Sequence, residues 1–127
     1  DWSSTCALPI FHTPGHTSGC ICLYEPDHKL LFTGDTVLSE GILSGVFPSG
    51  SISDYLMSMQ RLHCLVVDEI YPGHGRVSQN PREDLERAIE ETRLLLEESK
   101  VLFEALDTKA TFERLFYSWR KFPLPRG

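Results

Sequence analysis

The sequence lacks several features that mark familiar protein classes. No apolar run approaches the ~18 residues of a membrane span, and no secretory signal pattern opens the chain. Positive charge is scarce, since 12 Lys and Arg face 18 Asp and Glu, for a formal net charge of −6. This balance argues against a nucleic-acid surface and against an anionic membrane surface. At 127 residues, the chain is one globular domain at most.

The sequence also lacks a dense set of cysteines, with four residues at Cys6, Cys20, Cys22 and Cys64. A disulfide framework needs more cysteines in a shorter chain, and a zinc knuckle needs a two-residue gap where Cys20 and Cys22 have one. We interpret the four as free thiols, which are typical of a reducing compartment. The expected location is the cytoplasm or the interior of an organelle.

The first half of the chain is predicted to form strands and loops. CALPIF, CICLYE and LLFTGD are short runs rich in strand formers, and the turn PDHK predicts a hairpin between the second and the third. After a long loop rich in glycine and serine, a helix is expected to begin near Ser51, which resembles a capping box with Asp54. LVVDEIYPG then predicts one more strand.

The second half is predicted to be helical. Asn80, Pro81 and Glu83 supply a cap, a first-turn proline and a capping partner. The positions on the predicted packing stripe of the long helix and of a final shorter helix are Leu85, Ala88, Ile89, Thr92, Leu95, Leu96, Leu102, Phe103 and Leu106, then Phe112, Leu115, Phe116 and Trp119. We expect residues 1–76 to form the sheet and its loops, and residues 77–127 to form a helical segment packed on them.

Three stretches share one local design: PGH at His16, TGD at Asp35 and PGH at His74. Each follows a strand-like run and places glycine directly before a side chain that can bind a metal. Glycine permits sharp turns, so each side chain is presented on a stiff loop at the end of a strand. Two imidazoles and a carboxylate at one edge of a sheet predict a metal site.

The other histidines have simpler interpretations. His28 lies in the turn PDHK and is expected at the surface, and His63 is expected to be a partly buried packing residue of its helix. We interpret His12 as a neighbour that supports the loop of His16, with direct metal coordination as the alternative, because the loop geometry can aim only one imidazole easily.

HTPGHTSG, LFTGDT and IYPGHG, in this order and at these spacings, resemble the second half of the metallo-β-lactamase superfamily, in particular its glyoxalase II-like (hydroxyacylglutathione hydrolase) members. The resemblance covers residues 8–76 and implies an α/β (α+β) fold, the carboxyl-terminal part of an αββα sandwich with a mostly antiparallel sheet and helices on one face. It implies that His16 binds the first metal, that His74 binds the second, and that Asp35 bridges both and orients the nucleophile in catalysis. The implied cofactor is one or two Zn²⁺ ions, with iron or manganese as alternatives, and SEGILSGVFPSG takes the place of the substrate-side loop.

The sequence departs from this family at one point, because it contains no His-x-His and therefore lacks the first-half signature His-x-His-x-Asp-His. Each metal would keep one histidine and a share of Asp35, whereas zinc usually takes three protein ligands and a water. Together with Asp1 in place of an initial methionine, this predicts that the chain is the carboxyl-terminal part of a longer enzyme and is inactive alone. An amino-terminal half or self-association is expected to cover its exposed apolar sheet face.

The resemblance implies a metal-dependent hydrolase in which metal-bound hydroxide attacks the thioester, ester or amide carbonyl of a small acyl substrate. Arg120, Lys121 and Arg126 are candidates for contacts with glutathione, with solvated terminal charges as the alternative. Three other functions stay open: an iron-dependent persulfide dioxygenase, with His16 and Asp35 as two of its three ligands; a nuclease of the same fold, which the acidic charge disfavours; and a non-catalytic truncated module that binds a partner through its sheet.

Overall fold

The computed structural model describes residues 8–105 of the chain. Its four strands are β1 (Ile10–His12), β2 (Ile21–Glu25), β3 (Leu30–Gly34) and β4 (Glu69–Pro72). Its two α-helices are α1 (Ile52–His63) and α2 (Pro81–Ala105), and a 3-10 turn covers Ser39–Gly41. Within this part of the chain, no helix combines the length and the apolar character that a membrane span requires.

The strands form one sheet in the order β1-β2-β3-β4. β2 pairs antiparallel with β1 and with β3, which confirms the predicted hairpin, and β4 joins β3 in parallel. A mostly antiparallel sheet with two helices is the α+β arrangement expected from the sequence. Because β3 and β4 are parallel, the loops that follow them leave the sheet at the same edge.

One face of the sheet is buried under the helices. Cys22, Leu31 and Ile70 point to this face and are all 0% exposed. They pack in one cluster with the buried side chains of the helices, which are Tyr55, Met59, Leu62, Leu85 and Ala88. Burial of each Leu, Ile or Met side chain contributes about 1.5–3 kcal/mol, so this cluster is the main source of stability for the sheet and helix layers.

Helix α1 begins where the sequence predicts. Ser51 is extended, with φ at −154°, and its side chain accepts a hydrogen bond from the backbone N–H of Asp54 at 3.3 Å. This contact satisfies one of the free donors at the helix start. Tyr55, Met59 and Leu62 on the predicted stripe are buried against the sheet.

Helix α2 begins at Pro81, as its first-turn proline predicts. Leu85, Ala88 and Thr92 on the predicted stripe are buried, whereas Leu95 is 46% exposed. The chain up to Leu96 forms one compact unit, and a second unit begins at Glu97 within α2. The predicted final helix lies outside the described residues, and the boundary expected between residues 76 and 77 stays a prediction.

Two strands are shorter than their apolar runs suggest. The described residues Leu8 and Pro9 of CALPIF lie before β1, and the strand predicted from LVVDEIYPG is confined to β4. Leu65 and Val67 instead lie between α1 and β4, partly buried against the core cluster, and the backbone N–H of Leu65 bonds Leu62 O at 3.0 Å. These apolar side chains serve packing at the end of a helix, which periodicity alone does not distinguish from strand pairing.

The opposite face of the sheet, here called the outer face, carries Ile10, Ile21, Phe32 and Tyr71. Ile10 is 65% exposed, Ile21 50% and Phe32 38%. Phe32 stacks on Tyr71 with ring centroids 5.2 Å apart. The described part of the chain therefore exposes apolar side chains on one side of its sheet, as the sequence resemblance implies.

Candidate metal centre

The loop that carries His16 follows β1 and packs on the start of α1. Gly15 has φ at +154°, and a Cβ added there would lie 2.4 Å from the Cα of Tyr55. Only glycine permits so close an approach of two backbones. The carbonyl of Gly15 accepts a hydrogen bond from the N–H of Ser51 at 3.0 Å, and Ser58 Oγ donates to Pro14 O at 2.7 Å. The position of His16 is therefore defined by α1.

The loops of Asp35 and His74 leave adjacent parallel strands and are bonded to each other. Gly34 ends β3 with φ at +52°, a left-handed conformation that suits glycine. The N–H of Gly73, directly after β4, donates to Gly34 O at 2.7 Å. One backbone hydrogen bond thus fixes the spacing between the residues that precede Asp35 and His74.

The three predicted site residues meet around one carboxylate. Nε2 of His16 lies 3.7 Å from Oδ2 of Asp35, and Nε2 of His74 lies 3.5 Å from Oδ1 of the same side chain. The side chains are 12% exposed for His16, 37% for Asp35 and 79% for His74. Each carboxylate oxygen therefore faces a different imidazole, and the site runs from a half-enclosed end at His16 to an open end at His74.

The donor set fits part of a metal shell. Ligands about 2.0–2.2 Å from a tetrahedral ion lie roughly 3.4 Å from each other, close to the two observed N–O separations. Each imidazole could thus share an ion with one oxygen of Asp35. Within residues 8–105, no group of three or more His, Cys, Asp or Glu is placed to hold a single ion. The described residues therefore place one imidazole near each oxygen of Asp35 and do not supply a complete shell for a single ion.

Hydrogen bonds define which nitrogen of His16 faces the carboxylate. Nδ1 of His16 lies 2.5 Å from the carbonyl oxygen of Gly45. A carbonyl can only accept, so Nδ1 carries the hydrogen and Nε2 of the neutral ring keeps its lone pair. The lone pair on Nε2 is the one that a metal needs. Phe47 packs edge-on against the imidazole at 4.9 Å between ring centroids.

The remaining histidines lie away from this centre. Nε2 of His12 bonds Ser18 O at 2.8 Å, across the loop that carries His16. His28 has an 80% exposed side chain and pairs with Glu25, while His63 pairs with Glu86 at 3.2 Å. His28 and His63 thus take the surface and half-buried positions expected from the sequence.

The described cysteines Cys20, Cys22 and Cys64 are free thiols. Burial raises the pKa of the Cys22 thiol, against the opposing effect of hydrogen bonds from Thr13 and Thr36. Cys22 therefore stays a protonated packing residue at neutral pH, consistent with the interpretation from the sequence. Cys6 and the basic candidates Arg120, Lys121 and Arg126 lie outside the described residues.

The hydroxyl of Tyr55 makes contacts that the sequence does not predict, since Tyr55 also fits a packing stripe. The hydroxyl group lies 2.5 Å from Thr36 O and 3.2 Å from Asp35 O, and Tyr55 is only 2% exposed. Burial raises the pKa of Tyr55, so the hydroxyl group remains a donor at neutral pH. Nothing in the local sequence indicates these partners, since they come from a different loop.

Replacing Tyr55 with phenylalanine removes this donor while keeping the ring. We expect the free energy of unfolding to fall by about 1–3 kcal/mol, because the buried carbonyl of Thr36 loses its partner. Urea unfolding of the variant measures the change. Tyr71→Phe is the control, since the Tyr71 hydroxyl donates to the carboxylate of the half-buried Glu69. Equal losses in the two variants would contradict the prediction.

The part of the chain that carries His16, Asp35 and His74 is similar to known proteins. The model of the metallo-beta-lactamase superfamily matches residues 7–74. Acyl-coenzyme A thioesterase MBLAC2 of Gallus gallus is 44% identical over 71 residues, which are 53% of this chain and 25% of that protein. Hydroxyacylglutathione hydrolase of Pelagibacter ubique is 39% identical over 74 residues, 58% of this chain and 30% of that protein. The chain therefore spans only 25–30% of these curated relatives.

Solved structures give the same assignment. A metallo-beta-lactamase family protein from Thermus thermophilus superposes with a TM-score of 0.64 and 28% identity, over 79% of this chain and 34% of that one. A crystal structure in a di-iron-bound form gives a TM-score of 0.55 and 26% identity, over 60% of this chain and 39% of that one. Since the family model covers more than half of its length, this chain belongs to the metallo-beta-lactamase superfamily.

Proposed function

We propose that this chain supplies the second half of the active site of a metal-dependent hydrolase that cleaves acyl thioesters. The observation that carries the proposal is the placement of His16 and His74 at opposite oxygens of Asp35. Relatives named as an acyl-coenzyme A thioesterase and a hydroxyacylglutathione hydrolase support thioesters over esters or amides. The substrate would be a small acyl thioester.

The roles of the residues follow from their surroundings. A divalent cation, when bound, supplies Lewis acidity and an activated water at neutral pH. Asp35 would offer one oxygen on the side of His16 and the other on the side of His74, His16 would contribute Nε2 because Gly45 holds the hydrogen on Nδ1, and His74 would complete the open end. Ile42, Val46 and Phe47 are 54%, 44% and 57% exposed on the neighbouring loop, where they would contact an apolar part of the substrate.

Zinc is the proposed metal, since two imidazoles and a carboxylate match its ligand preferences. Iron is the alternative, because one structural relative is a di-iron-bound form. Metal analysis of the purified protein by mass spectrometry separates the two.

The remaining ligands must come from outside the described residues. We propose that they belong to an amino-terminal half, whose sheet would cover the outer face, with self-association as the alternative. Full thioesterase activity would then require both polypeptide segments.

The test measures thiol release from an acyl-coenzyme A and an acyl-glutathione thioester. We expect activity when the chain is combined with an amino-terminal half from a relative, and a loss of that activity with a chelator or with His74→Ala. Unchanged hydrolysis after either treatment would overturn the proposed function.

The outer face gives a separate prediction about association. Replacing Phe32 with lysine puts a charge at the centre of this face, so we expect the apparent mass of the isolated chain to fall toward 14.4 kDa in light scattering. Met57→Lys is the matched control, because Met57 is 61% exposed on α1. A wild-type chain that is already monomeric would contradict self-association.

A further inference from the structure

The hydroxyl group of Ser44 contacts both His16 and the backbone of Asp35. Oγ of Ser44 lies 3.0 Å from Nδ1 of His16 and also bonds the backbone carbonyl of Asp35. Ser44 is half-buried, in the loop between the 3-10 turn and α1. The same loop supplies the Gly45 carbonyl that accepts from His16.

The hydrogens around Ser44 can be assigned from the chemistry of its partners. The carbonyl of Asp35 can only accept, so Ser44 donates its single hydrogen to that oxygen. Nδ1 of His16 already carries a hydrogen, so it donates to Ser44 Oγ as well as to Gly45 O. The hydroxyl of Tyr55, 3.3 Å from Ser44 Oγ, donates to Thr36 O at the shorter distance of 2.5 Å. Every group in this cluster is thereby satisfied.

We propose that Ser44 is a positioning residue that orients His16 toward Asp35. Its hydroxyl group joins the backbone of the Asp35 loop to the far nitrogen of the His16 ring, which directs Nε2 at the carboxylate. Ser44 contacts neither the carboxylate nor Nε2, so it acts through His16 and not on a substrate. This inference rests on the proposed function in one respect, because Nε2 of His16 is a metal ligand only in that proposal.

The experiment uses the full chain, labelled with ¹⁵N, first without metal and then combined with the amino-terminal half from a relative and titrated with Zn²⁺. In Ser44→Ala, we expect the His16 Nδ1–H to exchange with water about five- to tenfold faster, since it loses one of two acceptors. We expect Zn²⁺ to bind about 10–100-fold more weakly, as is typical when a residue that holds a ligand is removed. Ser44→Thr keeps the hydroxyl group and should restore both values.

Ser49→Ala is the matched control, because Ser49 lies in the same loop and bonds the backbone N–H of Ser18, not a predicted ligand. A Ser44→Ala chain with unchanged exchange at His16 would overturn the proposal, even if its melting temperature falls. If no variant binds Zn²⁺ even with the amino-terminal half present but exchange still accelerates in Ser44→Ala, the proposed metal centre fails while the positioning role of Ser44 stands.

Discussion

Replacing Asp35 with asparagine is expected to weaken Zn²⁺ binding by more than about 100-fold. Loss of a residue that only supports a ligand already costs about 10–100-fold. Asp35 lies between His16 and His74, where it would itself be a ligand. The substitution preserves the shape of the side chain but removes the charge that balances the cation. Calorimetric titration of the full chain, combined with its amino-terminal partner segment where this is needed for binding, measures the change.

The same variant should leave the fold intact. The Asp35 side chain is 37% exposed and contributes nothing to the core cluster, so we expect its free energy of unfolding without metal to change by less than about 0.5 kcal/mol. Asp27→Asn, in the exposed turn between β2 and β3, is the control for general charge effects. Equal Zn²⁺ affinity in the two variants would mean that Asp35 is not a ligand.

The placement of the site could be predicted because it depends on local rules. Glycine before His16, Asp35 and His74 indicates sharp turns, and apolar runs before these turns indicate strands. The sequence thus predicts that the side chains lie at strand ends, whereas the parallel pairing that places the loops of Asp35 and His74 side by side is seen only in the structure. The metal role of the three residues stays a prediction, whereas their proximity is a feature of the structure.

The support around the site could not be predicted in the same way. Ser44 lies in a loop without periodicity, and Tyr55 fits a packing stripe equally well with or without a partner for its hydroxyl group. Their hydrogen bonds join residues far apart in sequence, so they depend on how the loop from Gly41 to Ser51 folds over α1. A pattern of single residues in the sequence can therefore indicate candidate metal ligands, but it cannot indicate the hydrogen-bond partners that position them.

Substitution of Gly15, which packs against Tyr55, is expected to cause a large loss of stability. Gly15→Ala should lower the free energy of unfolding by about 2–4 kcal/mol, because the new Cβ would overlap the backbone of α1 and φ at +154° is strained for alanine. Urea unfolding monitored by circular dichroism measures this loss. We also expect weaker Zn²⁺ binding, since relief of the overlap requires the loop of His16 to move away from Asp35.

Gly19→Ala is a matched control within the same loop. A Cβ at Gly19 meets no atom within 4 Å, and φ at Gly19 lies outside the left-handed region, so the stability should change by less than about 0.5 kcal/mol. If both alanine variants were equally stable, the loop would not be packed on Tyr55, and the position of His16 would need another explanation. A Gly15→Ala variant that is destabilised but keeps its Zn²⁺ affinity would show that displacement of the loop leaves the site unchanged. Packing on α1 would then stabilise the loop without aligning His16.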